Sequence, residues 1–171
     1  MGGTITFESE KGVGTTFVIR IPFKIDLDAD KREEQKDVSE KSIKGLHILL
    51  AEDNELNMEI AEFMLQNEGA EVTKAWNGQE AVELFSKSKP GEFDVILMDI
   101  MMPVMNGYET TKMIRSLDRE DAKAIPIIAM TANAFTEDRI RAKEAGMDEH
   151  VAKPVDVELL IKVIHKLVKY N

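Results

Sequence analysis

The chain has 171 residues, with 22 Lys plus Arg against 32 Asp plus Glu and a formal charge of −10. An acidic surface lacks the basic face that releases phosphate counterions, so nucleic acid and anionic membranes are poor partners. The absence of Cys rules out a disulfide scaffold and Cys-ligated zinc and suits a reducing compartment. In chain order, Thr4 to Ser9 alternates polar and apolar residues, and Phe17, Ile19, Ile21 and Phe23 fall two apart on one strand face. Gly12 and Gly14 lie between the two runs, which predicts a β-hairpin. A two-stranded hairpin is marginal alone, so residues 1–23 look like the edge of something larger. Residues 24–45 carry 13 charged side chains among 22 and no sustained apolar stripe, which predicts a solvated linker.

Residues 46–171 hold 14 basic and 23 acidic groups, so nine of the ten excess negative charges lie there. Short apolar runs at Ile48 to Ala51, Val95 to Met98 and Ile125 to Met130 predict buried strands, with weaker strands near Glu71 to Ala75 and His150 to Ala152. Between them lie helical stretches. Leu56, Ile60, Phe63 and Met64 form one apolar stripe; Val157, Leu160, Ile161, Ile164 and Val168 form another. Weaker helices are expected near Gln79 to Ser86, Gly107 to Leu117 and Glu137 to Ala145. Five strand–helix pairs in alternation predict a doubly wound α/β fold, a parallel sheet with helices on both faces. The longest apolar run, Ala124 to Met130, is seven residues with Pro126 inside it, and no signal peptide opens the chain. The expectation is a cytoplasmic fragment with no direct membrane contact.

The strand ends carry the chemistry. Glu52 and Asp53 follow the first apolar run, Asp99 the third, Thr131 the fourth and Lys153 the fifth strand. In an open α/β sheet these positions meet in the crevice beyond the carboxyl ends of the strands. Three carboxylates in one place repel one another and need protons or a cation. All-oxygen donors favour a hard ion, so Mg²⁺ is the expected cofactor. Lys153 adds a point charge suited to a phosphoryl group. The combination points to phosphoryl transfer with a carboxylate nucleophile. Asp53 or Asn54 is expected to cap the helix that starts near Glu55. Met98, Met101, Met102 and Met105 are expected to fill gaps in core and loop rather than bind a soft metal. His47 and His165 have no evident partner in the sequence.

The segments LLAEDN (Leu49 to Asn54), VILMDIMMPVMNGYE (Val95 to Glu109), AMTANA (Ala129 to Ala134) and AKPV (Ala152 to Val155) resemble, in order and spacing, the receiver domains of two-component response regulators. The resemblance implies a (βα)5 flavodoxin-like fold with strand order 2-1-3-4-5. It implies Asp99 as phosphoacceptor from a phosphohistidine, and Mg²⁺ held by Glu52, Asp53, Asp99 and the backbone carbonyl of Met101. It further implies Thr131 and Lys153 as groups that meet the phosphoryl group, Thr131 and His150 as switch positions, and a cis bond before Pro154. Met101 and Asn133, beside the site, would bear on the lifetime of the acyl phosphate. Glu52 stands where many members have Asp, which lengthens one acidic arm.

The segment GGTITFESEKGVGTTFVIRIPF is similar to the last strands of the ATP-binding domain of histidine kinases, with Gly12, Gly14 and Thr15 in its final glycine motif. Kinase remnant (1–23), linker (24–45) and receiver (46–171) in that order imply the C-terminal end of a hybrid histidine kinase. The fragment lacks the kinase's phosphorylatable helix and ATP motif, so it should only accept a phosphoryl group and dephosphorylate itself. Expected partners are the dimerisation and phosphoacceptor domain of the same chain or a histidine phosphotransfer protein, with the fragment a monomer or weak dimer. Rival readings are weaker. An aspartyl-phosphate phosphatase would want a second Asp where Met101 stands, and a flavin mononucleotide binder a Ser/Thr/Gly-rich loop where AEDNE stands. A hairpin adapted for docking or pairing is the third.

Overall fold

The computed structural model describes residues 2–22, 42–132 and 136–168. The chain divides into two units, residues 1–40 and 41–171. In the first, β1 (Thr4–Glu10) pairs antiparallel with β2 (Gly14–Arg20). The register sets Ile5 opposite Ile19 and Phe7 opposite Phe17. The two phenylalanine rings lie 5.9 Å apart, and all four of these side chains are exposed. The expected fourth member of that face, Phe23, lies outside the described residues, as does most of the linker.

The second unit is a five-stranded sheet. Its strands are β3 (His47–Ala51), β4 (Glu71–Ala75), β5 (Val95–Asp99), β6 (Ile127–Thr131) and β7 (Glu149–Ala152). All pairs are parallel and the order is β4-β3-β5-β6-β7, which is 2-1-3-4-5 counted within this unit. The helices are α1 (Glu55–Asn67), α2 (Gly78–Lys87), α3 (Gly107–Ser116), α4 (Glu120–Ala124), α5 (Thr136–Ala145) and α6 (Val157–Leu167). The doubly wound arrangement follows from strand alternation, in which neighbouring side chains point to opposite faces. Ile48, Leu50, Leu97 and Ile128 join Met58, Leu65, Leu160 and Ile164 in the core under α1 and α6. Leu49, Ile96, Met98 and Ile127 join Phe85, Ile114 and Ala142 in the core under α2 to α5.

Four helices begin on an Asn or Asp whose side chain accepts a backbone N–H of the first turn: Asn54, Asn77, Asn106 and Asp156. This satisfies donors that the helix itself leaves open. Asn54, not Asp53, is the cap of α1, which leaves Asp53 exposed and uncommitted to the helix.

Several expectations change. The stripe Leu56, Ile60 and Phe63 is the outer face of α1, 64%, 49% and 66% exposed, while Met58, Ala61 and Leu65 face the sheet. Both stripes have helical spacing, and the small Ala61 lets α1 approach the sheet closely. Met98 and Met102 are buried as gap-fillers, but Met101 is 77% exposed. His47 does have a partner, with its Nε2 3.0 Å from Glu71 Oε2. Ile43, inside the range assigned to the linker on charge, is fully buried in the core under α1 and α6. The short α4 was not foreseen; it is tied down by Arg115, whose Nη1 donates to the carbonyls of Ala122 and Ile125 at 2.8 Å each.

Candidate functional site

The site lies beyond the carboxyl ends of β3, β5, β6 and β7. Glu52 follows β3, and its N–H donates to the Ala75 carbonyl at 3.1 Å, which carries the β3–β4 ladder one residue further. Asp99 is the last residue of β5 and Thr131 the last of β6. The Lys153 N–H donates to the Thr131 carbonyl at 2.8 Å, fixing where the lysine stem leaves β7. The peptide bond between Lys153 and Pro154 is cis.

The polar side chains converge as the strand ends require. Lys153 Nζ lies 2.5 Å from Glu52 Oε2 and 2.7 Å from Asp99 Oδ2. Asp99 Oδ1 accepts the Met101 N–H at 3.1 Å. Glu52 Oε1 accepts the Asn57 side-chain amide at 3.1 Å and the Asn54 N–H at 3.3 Å. Glu52 and Asp99 are only 2% and 5% exposed, so each buried oxygen needs these donors.

Burial dominates the titration of Asp99 and raises its pKa above the ordinary carboxylate range; the hydrogen bond from Lys153 opposes this, and the charge of Glu52 adds to it. Burial by itself would pull Lys153 down, but Asp99 and Glu52 together outweigh it and hold the ammonium's pKa above its usual value. The lysine is therefore charged, and the two carboxylates compete for it.

Glu52, Asp53 and Asp99 each offer a carboxylate oxygen, and these oxygens all lie within 4.8 Å of one another. Such a donor set fits a hard divalent cation. Of the other expected residues, Thr131 is buried at the same edge. Met101 turns its side chain outward and its N–H toward Asp99. His150 stands apart on β7, opposite Ala129, lining a groove with Arg139, Ile140 and Lys143 of α5. Asn133 lies outside the described residues. Asn57 was missed by sequence reasoning; its one signal was its place in the first turn of α1, four residues after Asp53.

A cavity of about 300 Å³ opens beside the carboxylates, lined by Glu52, Asn57, Ile60, Met64, Lys153 and Pro154 among others. It connects the charged crevice to the apolar outer face of α1.

Comparison with known proteins agrees with this geometry. The chain is 36% identical over 167 residues to the aerobic respiration control sensor protein ArcB of Escherichia coli, an alignment that covers 97% of this chain and 20% of ArcB. It thus spans about a fifth of that relative's length. Among solved structures, it is 38% identical to the receiver domain of a Pseudomonas aeruginosa sensor histidine kinase that has a magnesium ion coordinated in its active-site cleft. That match covers 72% of this chain and 97% of the other, with a TM-score of 0.65. The receiver domain of the Saccharomyces cerevisiae response regulator Ssk1, crystallised with the histidine phosphotransfer signaling protein Ypd1, matches at 28% identity and a TM-score of 0.65, over 75% of this chain and 92% of that one. Residues 48–165 match the response regulator receiver domain, and with the acidic crevice at their strand ends they place this chain in that family.

Proposed function

We propose that Asp99 is the phosphoacceptor of a phosphorelay module. A carboxylate oxygen of Asp99 attacks the phosphorus of a phosphohistidine, the P–N bond breaks, the imidazole departs, and an acyl phosphate remains; water later attacks the phosphorus, the P–O bond to Asp99 breaks, and inorganic phosphate leaves with the carboxylate restored. The observation that carries this reading is the buried Asp99 carboxylate with the Lys153 ammonium 2.7 Å away and two further carboxylates beside it. The Met101 N–H and Lys153 hold the two oxygens of Asp99 in a fixed plane. Lys153 supplies a point charge where the phosphoryl oxygens gather. Glu52, Asp53, Asp99 and the carbonyl of Met101 are the residues that would hold Mg²⁺, and the bound cation would neutralise charge on the transferring group. Thr131, buried at the end of β6, is the hydroxyl that meets the phosphoryl group, and His150 is the switch residue that responds.

The partner is a helical protein that bears the phosphohistidine: a histidine phosphotransfer protein, or the dimerisation and phosphoacceptor domain of the parent kinase. Its imidazole must reach Asp99, and the exposed apolar face of α1, with Leu56, Ile60 and Phe63, borders the way in. Ssk1, a structural relative, was crystallised with such a phosphotransfer protein. Residues 1–23 are read as the final hairpin of a histidine kinase ATP-binding domain, 24–45 as linker and 46–171 as receiver, in the cytoplasmic part of a hybrid kinase. Two features support this: the uncovered Ile5, Phe7, Phe17 and Ile19 face, and an alignment to ArcB that runs through the hairpin to cover 97% of the chain. Among the described residues, no helix is long and apolar enough to cross a membrane.

The test is labelling by acetyl phosphate in the presence of Mg²⁺. The chain should take up label, and Asp99→Asn should abolish it; labelling that persists undiminished in the variant overturns the assignment.

A further inference from the structure

We propose that Asn57 is a positioning residue of this site, acting through Glu52 on Lys153; the inference rests on the phosphoacceptor reading of Asp99. Glu52 has one more side-chain torsion than an Asp and so more ways to point. In the fold that freedom is removed. Oε1 receives the Asn57 amide at 3.1 Å and the Asn54 N–H at 3.3 Å, which leaves Oε2 facing Lys153 Nζ at 2.5 Å. Lys153 carries its charge on a flexible four-carbon stem, and its two anchors are Glu52 and Asp99. The order of command therefore runs from Asn57 to Glu52, from Glu52 to Lys153, and from Lys153 to the oxygen of Asp99. Without the Asn57 amide, the Glu52 carboxylate loses a side-chain donor on Oε1 and regains its rotational freedom, and the ammonium loses a fixed post.

Asn57 is well suited to a test. Its side chain is exposed, so truncation opens no core cavity. Its backbone N–H, not its side chain, makes the 3.0 Å cap bond to Asn54 Oδ1, so the cap of α1 is kept in Ala, Gln and Asp variants. Helix propensity runs Ala, Gln, then Asn and Asp. A residue that mattered only to the helix would give an Ala variant at least as good as the parent. Positioning predicts a different order: Asn and Gln, which keep the donor, above Ala, which lacks it, and Ala above Asp, which repels Glu52.

The experiment compares the full chain with Asn57→Ala, Asn57→Gln and Asn57→Asp by three readouts: labelling by acetyl phosphate, calorimetric affinity for beryllofluoride in Mg²⁺, and the unfolding midpoint in chelator. Asn57→Ala should lower the labelling rate at saturating donor about tenfold, with the half-saturating donor concentration within about twofold of the parent. Beryllofluoride affinity should fall by a similar factor, the midpoint should stay within about 2 °C, and Gln should recover most of the loss. Parental labelling and beryllofluoride affinity in Asn57→Ala would overturn the proposal. So would a Gln variant as poor as Ala, or losses that follow the unfolding midpoint. A parent chain that takes no label at all overturns the phosphoacceptor reading itself, and Asn57's role with it.

Discussion

Replacing Lys153 by Met tests the electrostatics of the crevice most directly. The substitution keeps the length of the stem and removes the ammonium that lies 2.5 Å from Glu52 and 2.7 Å from Asp99. Two nearly buried carboxylates then face each other, and the folded state must bear their repulsion or take up a proton. Protonation sets an upper bound. An ordinary Asp lies roughly 3.6 units below pH 7.5, and at about 1.36 kcal/mol per unit the bound is about 5 kcal/mol. The exposed Asp53 edge admits water, so the expected loss is smaller, about 2–4 kcal/mol. For a unit of this size that lowers the unfolding midpoint by roughly 10 °C in chelator. The sign with pH is definite. The folded variant would bind the extra proton and the unfolded chain would not, so the deficit should shrink by up to about 1.36 kcal/mol for each unit the pH falls, leaving a bound of about 2 kcal/mol near pH 5.5. Mg²⁺ held by Glu52, Asp53 and Asp99 in the folded crevice would replace the missing charge, so it should stabilise the variant more than the parent. Thermal unfolding by circular dichroism at several pH values, with chelator and with Mg²⁺, measures all of this. A variant as stable as the parent in chelator at pH 7.5, or a deficit that neither acid nor Mg²⁺ reduces, would refute the reasoning.

Arg119→Ala should cost about 1–2 kcal/mol by urea unfolding at neutral pH, because Arg119 pairs with Asp121 through two 2.6 Å bonds and donates to the Phe85 carbonyl at the end of α2. That pairing holds the Asp121 pKa down at about 2. The stabilisation from the ion pair is complete above pH 4 and is lost as the pH falls through 2, so the gap between parent and variant should narrow over that interval to the part owed to the Phe85 carbonyl. A gap that does not narrow at all in acid would show that Arg119 acts only through the Phe85 carbonyl and ring, over which its guanidinium lies 4.4 Å from the centroid, and not through Asp121. Phe63→Glu, on the exposed face of α1, should slow transfer from a phosphohistidine partner about tenfold while leaving acetyl phosphate labelling and the unfolding midpoint unchanged. Equal slowing of both donors would remove α1 from the docking surface.

The strands and the convergence of Glu52, Asp53, Asp99 and Lys153 were legible because buried parallel strands leave short apolar runs, and the residue that follows each run must lie at the crevice. Direction was less legible. α1 carries two apolar stripes, Leu56–Ile60–Phe63 and Met58–Ala61–Leu65, and periodicity alone does not say which one faces the sheet. The face turned to the sheet is the one that carries the small Ala61, and the larger Leu56, Ile60 and Phe63 stay outside. Asn57, Arg115 and Arg119 were illegible for a related reason. Arg115 and Arg119 act through partners 31 to 34 residues away, Gly146 and Asp148 for the first and Phe85 for the second, while Asn57 reaches back only five residues to Glu52 but through a side-chain orientation that the sequence does not display. A polar residue on or beside a helix carries no local mark of such a partner.

The loop from β5 to α3 shows why the Asp99 carboxylate can be held so firmly. At one end, a Cβ on Gly107 would come within 2.3 Å of the Asp99 carbonyl, so only glycine lets α3 start against the strand end. The Gly107 N–H donates to the Ile100 carbonyl at 3.0 Å, and the Gly78 N–H of α2 holds the Met105 carbonyl at 3.2 Å. Between these anchors Val104 adopts φ 68°, and the Met105 N–H closes a three-residue turn on the Pro103 carbonyl at 2.8 Å. A β-branched residue at positive φ costs of order 1–2 kcal/mol, and such strain lasts only where its surroundings leave no alternative. Here the glycine contacts and the capping box of Asn106 and Glu109 remove the alternatives. The same constrained segment carries Met101, whose N–H fixes one oxygen of Asp99. One side of Asp99 is thus set by rigid backbone. The other is set by Lys153, a side chain held between Glu52 and Asp99. On the proposed reading of Asp99 as acceptor, the fixed oxygen would define the line of attack and Lys153 would meet the incoming phosphoryl group.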